Sequence, residues 1–130
     1  MTADSGGARV LLVDDEPENI EEIAEVLDMQ GLSCRLTTSA DAAESALAET
    51  PSIGVVVSDI RMPGRSGIDL LVALRDRLPV ILVTGHNAAV DAMTAHEEGA
   101  FRFFSKPLDP FALVEGIRAA LAHKEARDDR

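Results

Sequence analysis

The fold is set by Val10-Leu11-Leu12-Val13-Asp14-Asp15, a short apolar run that ends in two carboxylates. A second run of this kind, Val55-Val56-Val57-Ser58, ends at Asp59. Such short runs, rich in β-branched residues and followed by turn residues, are typical of buried strands in a parallel sheet. Because the carboxyl ends of parallel strands lie along one edge of the sheet, we expect Asp14, Asp15 and Asp59 to share a crevice.

Two later runs bring a hydroxyl and an amine to the same edge. Val80-Ile81-Leu82-Val83 ends at Thr84, and Phe101-Arg102-Phe103-Phe104 is followed by Lys106. Each of these side chains alone is more often a capping or solvated loop residue. Their joint placement with three carboxylates instead predicts a site for a divalent cation and a phosphoryl group.

Helical periodicity separates the strands. One helix is predicted from Pro17 to Met29, and another follows a cap at Ser39 or Asp41 after a short strand over Ser33–Thr37. The remaining helices are predicted from the apolar spacing of Ile68, Leu71 and Leu74, over Ala88–Glu98, and from a buried stripe of Phe111, Val114, Ile117, Ala120 and Leu121. Alternating strands and helices joined by right-handed crossovers predict an α/β fold with a doubly wound five-stranded parallel sheet.

Length and composition predict one globular domain. The chain has 130 residues, of which 46% are hydrophobic and 27% charged, an ordinary balance for a domain that buries its own core. We expect an N-terminal extension over residues 1–8, a domain over 9–123 and a charged C-terminal tail over 124–130. The sequence leaves open whether this domain works alone or comes from a longer regulator.

The charge and cysteine content exclude several classes of function. A net charge of −11 with no basic stripe disfavours direct binding of nucleic acid or an anionic membrane surface. The single cysteine, Cys34, cannot form an internal disulfide, and His86, His96 and His123 are too scattered for a zinc site. Without a signal-peptide pattern or a bilayer-length apolar stretch, we expect a cytoplasmic protein.

The strand-end residues follow a known pattern. Asp14-Asp15, Asp59, Thr84 and Lys106-Pro107 are placed as in the receiver domain of bacterial two-component response regulators, which the chain resembles over roughly residues 9–122. The resemblance implies a flavodoxin-like (βα)5 sheet with strand order 2-1-3-4-5. It also implies a phosphorylation-dependent signalling switch and not an enzyme.

The resemblance assigns roles in phosphoryl transfer. Asp59 would accept a phosphoryl group from a phosphohistidine on a sensor histidine kinase or a histidine phosphotransfer protein, as in a phosphorelay. Lys106 and Thr84 would assist the phosphorylation and dephosphorylation of the domain itself. The Lys106-Pro107 bond is usually cis in the family, but the sequence alone does not establish its isomer.

The resemblance also implies a metal site. Asp15, Asp59 and the backbone carbonyl of Arg61 would hold Mg²⁺, with Asp14 acting mainly through a coordinated water. Oxygen ligands of this kind, together with phosphate oxygens, are those that Mg²⁺ prefers. Arg61 and His86 would tune the lifetime of the phosphoryl group, in a direction that the sequence does not give.

In such a domain, phosphorylation would change one surface. Thr84 would move toward the phosphoryl group and Phe103 would turn inward, remodelling the face formed by helix four, strand five and helix five. Phe103 equally fits a plain core residue of an alternating strand. A downstream effector protein or domain would read the changed face, and a phosphorylation-dependent dimer is left open, as are the identities of the kinase and the effector.

Three other functions compete with this interpretation. A nucleotide- or flavin-binding enzyme is disfavoured, because the loop at Asp14-Asp15-Glu16-Pro17 has no glycine-rich phosphate cradle. A Mg²⁺-dependent phosphatase that forms an aspartyl phosphate is closer in chemistry, but it would usually place its two acids two residues apart on the first strand. A structural interaction module, with the acids as plain surface charge, would not bind Mg²⁺ specifically.

Overall fold

The structure is a computed structural model that describes residues 7–85 and 88–128. Strands and helices alternate along the chain, as predicted. The strands are β1 (Val10–Val13), β2 (Cys34–Thr37), β3 (Val55–Asp59), β4 (Val80–Thr84) and β5 (Arg102–Ser105). The helices are α1 (Glu18–Met29), α2 (Ala40–Glu49), α3 (Gly67–Leu74), α4 (Ala88–Glu98) and α5 (Pro110–Asp128).

All five strands form one parallel sheet in the order β2-β1-β3-β4-β5, which confirms the expected topology. Val13 pairs with Ser58, and Asp59 pairs with Val83. This register aligns the carboxyl ends of β1, β3 and β4. The residues that follow these strands therefore lie along one edge of the sheet.

Helices cover both faces of the sheet. Leu11 and Val13 point to the layer formed by α2, α3 and α4, whereas Val10 and Leu12 point to α1 and α5. Because alternate side chains of β1 are buried on opposite faces, the whole strand is apolar, as expected for a central parallel strand. The doubly wound architecture is confirmed.

Local signals in the sequence fix the helix ends. Ser39 is the N-cap of α2 and accepts a hydrogen bond from the amide of Ala42, so it fills the role that the sequence left between Ser39 and Asp41. Gly31 follows α1 with a φ of +80°, a left-handed conformation that commonly ends a helix. The helices therefore begin and end close to the predicted positions.

The prediction for the buried face of α5 was wrong at Phe111. Its side chain is 70% exposed, whereas Leu113 is fully buried against the sheet. Two positions along a helix correspond to about 200° of rotation, so Phe111 points to solvent when Leu113 points inward. The predicted positions from Val114 to Leu121 are buried.

Residues on the outer side of each predicted domain boundary make contacts with the domain. Ala8, assigned to the N-terminal extension, is buried in the core, and its carbonyl accepts a hydrogen bond from the Ser52 hydroxyl at 2.6 Å. Helix α5 continues to Asp128, so the predicted tail begins inside a helix, where Glu125 pairs with Arg9 at 3.1 Å. No helix within residues 7–85 and 88–128 has the length and apolar character needed to span a bilayer.

Candidate functional site

Three carboxylates meet at the carboxyl edge of the sheet. Asp14 and Asp15 follow β1, and Asp59 is the last residue of β3. One oxygen from each carboxylate lies within 4.8 Å of the others. Asp14 is 2% exposed, and its Oδ1 accepts a hydrogen bond from the amide of Glu16 at 2.9 Å, which fixes the carboxylate within the loop. The expected anionic crevice is present.

Asp59 lies at the centre of this crevice. Its Oδ1 accepts a hydrogen bond from the amide of Arg61 at 3.3 Å, and its Oδ2 accepts one from Lys106 Nζ at 3.3 Å. Burial raises the pKa of Asp59 above its ordinary value of 3.8, and the charge of Asp14 adds to this, while Lys106 and the Arg61 amide oppose it. The free carboxylate is therefore held in an unfavourable environment that a cation would relieve.

Lys106 supplies the positive charge at the edge of the crevice. Its Nζ lies 3.3 Å from Asp59 Oδ2 and 3.6 Å from Asp14 Oδ2. Burial disfavours the ammonium, but attraction to Asp59 and Asp14 outweighs this effect and raises the pKa of Lys106. Lys106 is thus a cation at neutral pH, and the peptide bond to Pro107 is cis.

A cavity of about 270 Å³ opens beside the three carboxylates. Its walls include Asp15, Asp59, Arg61, Gly85 and Lys106. Glu16, which was not among the predicted site residues, also lines this cavity and accepts a hydrogen bond from the Asn19 side chain at 3.0 Å. The cavity is large enough for a phosphoryl group next to a hydrated cation, since one liquid water occupies about 30 Å³.

Thr84 lies at the same edge, at the end of β4, and its side chain is buried. Its hydroxyl donates a hydrogen bond of 2.8 Å to Oδ2 of Asp91, a residue of α4. The other carboxylate oxygen of Asp91 accepts a hydrogen bond of 3.3 Å from Arg61 Nη2. Asp91 therefore joins two of the predicted site residues to α4.

Phe103, on β5, is partly buried. Its ring packs against the layer of α2, α3 and α4, and in the sheet it pairs with Leu82 of β4. This position beside α4 fits both interpretations that the sequence left open, a core residue and a switch residue. His86 lies outside the described residues.

The comparisons with known proteins give the family. The sequence profile of the response regulator receiver domain matches residues 10–118. The chain belongs to this family. The five-stranded sheet and the acidic edge described above are thus those of a receiver domain of a two-component system.

Curated relatives of this receiver domain are longer proteins. It is 42% identical over 117 residues to the C4-dicarboxylate transport transcriptional regulatory protein DctD of Pseudomonas aeruginosa, covering 87% of this chain and 25% of DctD. It is 36% identical to the transcriptional regulatory protein FixJ of Rhizobium meliloti, covering 92% of this chain and 59% of FixJ. The chain therefore spans about a quarter of DctD and under two thirds of FixJ.

Solved receiver structures share the fold. A response regulator receiver domain protein from Clostridium thermocellum superposes with a TM-score of 0.84 at 31% identity, covering 92% of this chain and 98% of that protein. The structure titled FixJ-N gives a TM-score of 0.77 at 36% identity, with coverages of 89% and 94%. These matches include almost the entire receiver domain of each structure.

Two residues close to the site were not predicted from the sequence. Asp91 looks like an ordinary helical acid in the sequence, and only the orientation of α4 reveals its contacts. Gly67 begins α3, and a Cβ there would overlap the carbonyl oxygen of Asp59 and lie 2.9 Å from Ile60 Cα. A glycine inside a helix is unfavourable by about 1 kcal/mol relative to alanine, so its presence at the start of α3 was a usable signal.

The loop between β3 and α3 is fastened at several points. The amide of Gly67 donates to the carbonyl of Ile60 at 2.9 Å, and Ser66 and Asp69 form a reciprocal capping box. Arg65 pairs with Asp41 and Glu44 of α2, both at 2.9 Å. This loop carries the backbone of Arg61, so its anchoring holds the Arg61 amide beside Asp59.

Proposed function

We propose that the chain is a phosphorylation-dependent signalling switch in which Asp59 is the phosphoacceptor. The observation that supports this most directly is the position of Asp59, between two other carboxylates and an ammonium and on the wall of a cavity. The donor would be a phosphohistidine on a sensor histidine kinase or a histidine phosphotransfer protein.

The proposed reaction is a phosphoryl transfer between two protein side chains. An oxygen of Asp59 attacks phosphorus, the bond from phosphorus to the histidine nitrogen breaks, and that nitrogen keeps the electron pair. The product is an acyl phosphate on Asp59 and a free imidazole on the donor. Lys106, whose Nζ already lies 3.3 Å from Asp59 Oδ2, is placed to donate to the phosphoryl oxygens as charge develops on them.

The donor set fits Mg²⁺. Carboxylate oxygens of Asp14, Asp15 and Asp59 lie close together at the edge of an open cavity, which suits an ion that uses one or two carboxylates and retains several waters. We propose Asp15, Asp59 and the Arg61 carbonyl as ligands, with Asp14 acting through water. When bound, Mg²⁺ neutralises the carboxylates and the phosphoryl charge.

The output is proposed to be a change in the surface of α4, β5 and α5. Thr84 and Phe103 are the switch residues of this proposal, and both lie next to α4. The exposed apolar side chains Val90 and Met93 on α4 and Phe111 on α5 provide contact area for a protein partner. That partner would be an effector protein, an effector domain of a longer chain or, after phosphorylation, a second copy.

Intact mass measurement tests the phosphoacceptor. We expect wild-type protein incubated with phosphoramidate and Mg²⁺ to gain one phosphate, and Asp59→Asn to gain none. Asp76→Asn, which removes an exposed carboxylate outside the site, is the matched control and should behave like wild type. Phosphate that still appears on Asp59→Asn would assign the acceptor to another residue.

A second comparison separates the switch from the phosphatase alternative, which the family assignment does not favour. The switch should hydrolyse an external phosphomonoester no faster than Asp59→Asn does. Many turnovers that depend on Asp59 would instead support a phosphatase.

A further inference from the structure

Asp91 makes two hydrogen bonds to site residues that the sequence does not predict. This residue of α4 is 7% exposed, and both of its carboxylate oxygens are hydrogen bonded. Oδ2 accepts from the Thr84 hydroxyl at 2.8 Å, and Oδ1 accepts from Arg61 Nη2 at 3.3 Å. One partner is the proposed switch residue, and the other lies two positions after the proposed phosphoacceptor.

A hydroxyl has one hydrogen and donates it to one acceptor at a time. While Thr84 donates to Asp91, the same hydrogen cannot be donated to a phosphoryl oxygen on Asp59. The Thr84 hydroxyl must therefore leave Asp91 before it can stabilise the phosphorylated site. Because hydrogen bonds to charged groups are stronger than those between neutral groups, breaking the bond from Thr84 to Asp91 has an appreciable cost.

We propose that Asp91 is the positioning residue that holds Thr84 in the unphosphorylated arrangement and thereby sets how readily the switch is activated. The inference rests on the proposed function and adds a residue to it. Asp91 also links α4, part of the proposed output surface, to residues of the site. Release of Thr84 from Asp91 on phosphorylation would break one of the two links between α4 and residues of the site.

Arg61 gives Asp91 its second link to the site. Its guanidinium pairs with Asp91, while its amide donates to Asp59 Oδ1. A change in charge at Asp59 therefore reaches Asp91 along the backbone and side chain of Arg61, as well as through Thr84. Asp91 responds to the state of Asp59 from two sides.

Binding of beryllofluoride with Mg²⁺, a mimic of the acyl phosphate, tests the proposal. Dissociation constants would be measured by calorimetry for wild type, Asp91→Ala and Asp91→Asn, with Glu97→Gln as an exposed acid on the same helix. We expect Asp91→Ala to bind about tenfold more tightly, from the loss of one hydrogen bond to a charged group. Asp91→Asn keeps an oxygen that accepts from Thr84, so its gain should be smaller, and Glu97→Gln should match wild type.

The same measurement in a Thr84→Val background shows whether the effect passes through Thr84. There we expect Asp91→Ala to add little, because no hydroxyl remains to be released. An equal gain in both backgrounds would contradict the proposal, since it would make the effect independent of Thr84. Thermal unfolding of each variant without ligand establishes that it is folded, and the near-isosteric Asp91→Asn keeps the test valid if Asp91→Ala unfolds.

The outcomes distinguish this inference from the proposed function. Wild-type or weaker affinity in both folded Asp91 variants overturns the positioning role and leaves the phosphoacceptor role of Asp59 intact. A wild-type protein that binds no beryllofluoride in the presence of Mg²⁺ contradicts the phosphoacceptor role, and the role of Asp91 falls with it.

Discussion

The environment of Asp59 disfavours its ionised carboxylate. Two unit charges within 4.8 Å of each other repel by at least about 3 kcal/mol at an effective dielectric constant of about 20. Loss of solvation is the larger effect and raises the pKa of Asp59; repulsion by Asp14 adds to this, and Lys106 and the Arg61 amide compensate only partly. The ionised Asp59 carboxylate therefore lowers the stability of the folded domain until a cation binds.

Replacing Asp59 by Asn should increase the stability of the folded domain. The pKa of Asp59 in the folded protein is raised above 3.8, so folding favours the protonated carboxyl group. The resulting contribution to stability is fully present below pH 3.8 and is lost as the pH rises through the raised pKa. We expect the free energy of unfolding of Asp59→Asn to be about 1 kcal/mol higher than that of wild type at neutral pH without Mg²⁺. Urea unfolding should show this difference shrinking as the pH is lowered.

The exposed acid Asp76 supplies the control for that measurement. Asp76→Asn removes the same charge without removing a crowded carboxylate, so its stability should stay close to that of wild type. A destabilised Asp59→Asn at neutral pH would mean that the pair with Lys106 outweighs burial and repulsion.

The loop between β3 and α3 requires a glycine at position 67. Gly67 lies where a side chain would overlap the backbone of Asp59 and Ile60, which cannot move aside without shifting Asp59, the proposed phosphoacceptor. We expect Gly67→Ala to lower the free energy of unfolding by about 2 kcal/mol, a usual cost of overpacking. It should also slow phosphorylation by phosphoramidate, measured by intact mass.

Gly7→Ala is a suitable comparison, because a Cβ at Gly7 has no atom within 4 Å. It should leave both stability and phosphorylation rate near those of wild type. A Gly67→Ala protein as stable and as reactive as wild type would show that the loop adjusts around the added methyl group.

The elements also show what the sequence could predict and what it could not. Asp14, Asp59 and Thr84 were located because each lies at or directly after the end of a strand, and parallel strands align their ends whatever the details of packing. Asp91 and Gly67 were missed because their importance depends on the rotation of α4 and the path of a loop. Phe111 was misassigned for a related reason, since apolar spacing does not fix which face of the first helical turn meets the sheet.

Strand order brings the site together. Because β1 lies between β2 and β3, and β4 lies next to β3, residues from distant parts of the chain share one edge of the sheet. An unfolded chain does not hold Asp15, Asp59 and Lys106 near each other. A ligand of this site therefore binds the folded state and stabilises the whole domain by mass action.

Magnesium should accordingly raise the thermal stability of the domain. At a free concentration about ten times its dissociation constant, Mg²⁺ adds about 1.4 kcal/mol to the free energy of unfolding. Differential scanning calorimetry should show an increase in Tm with Mg²⁺ that NaCl at matched ionic strength does not reproduce. Asp15→Asn should lose most of this increase, whereas Glu21→Gln, which removes an exposed acid of α1, should keep it. Equal responses in the two variants would mean that Mg²⁺ acts by screening the net charge of −11 and not through a site built at the sheet edge.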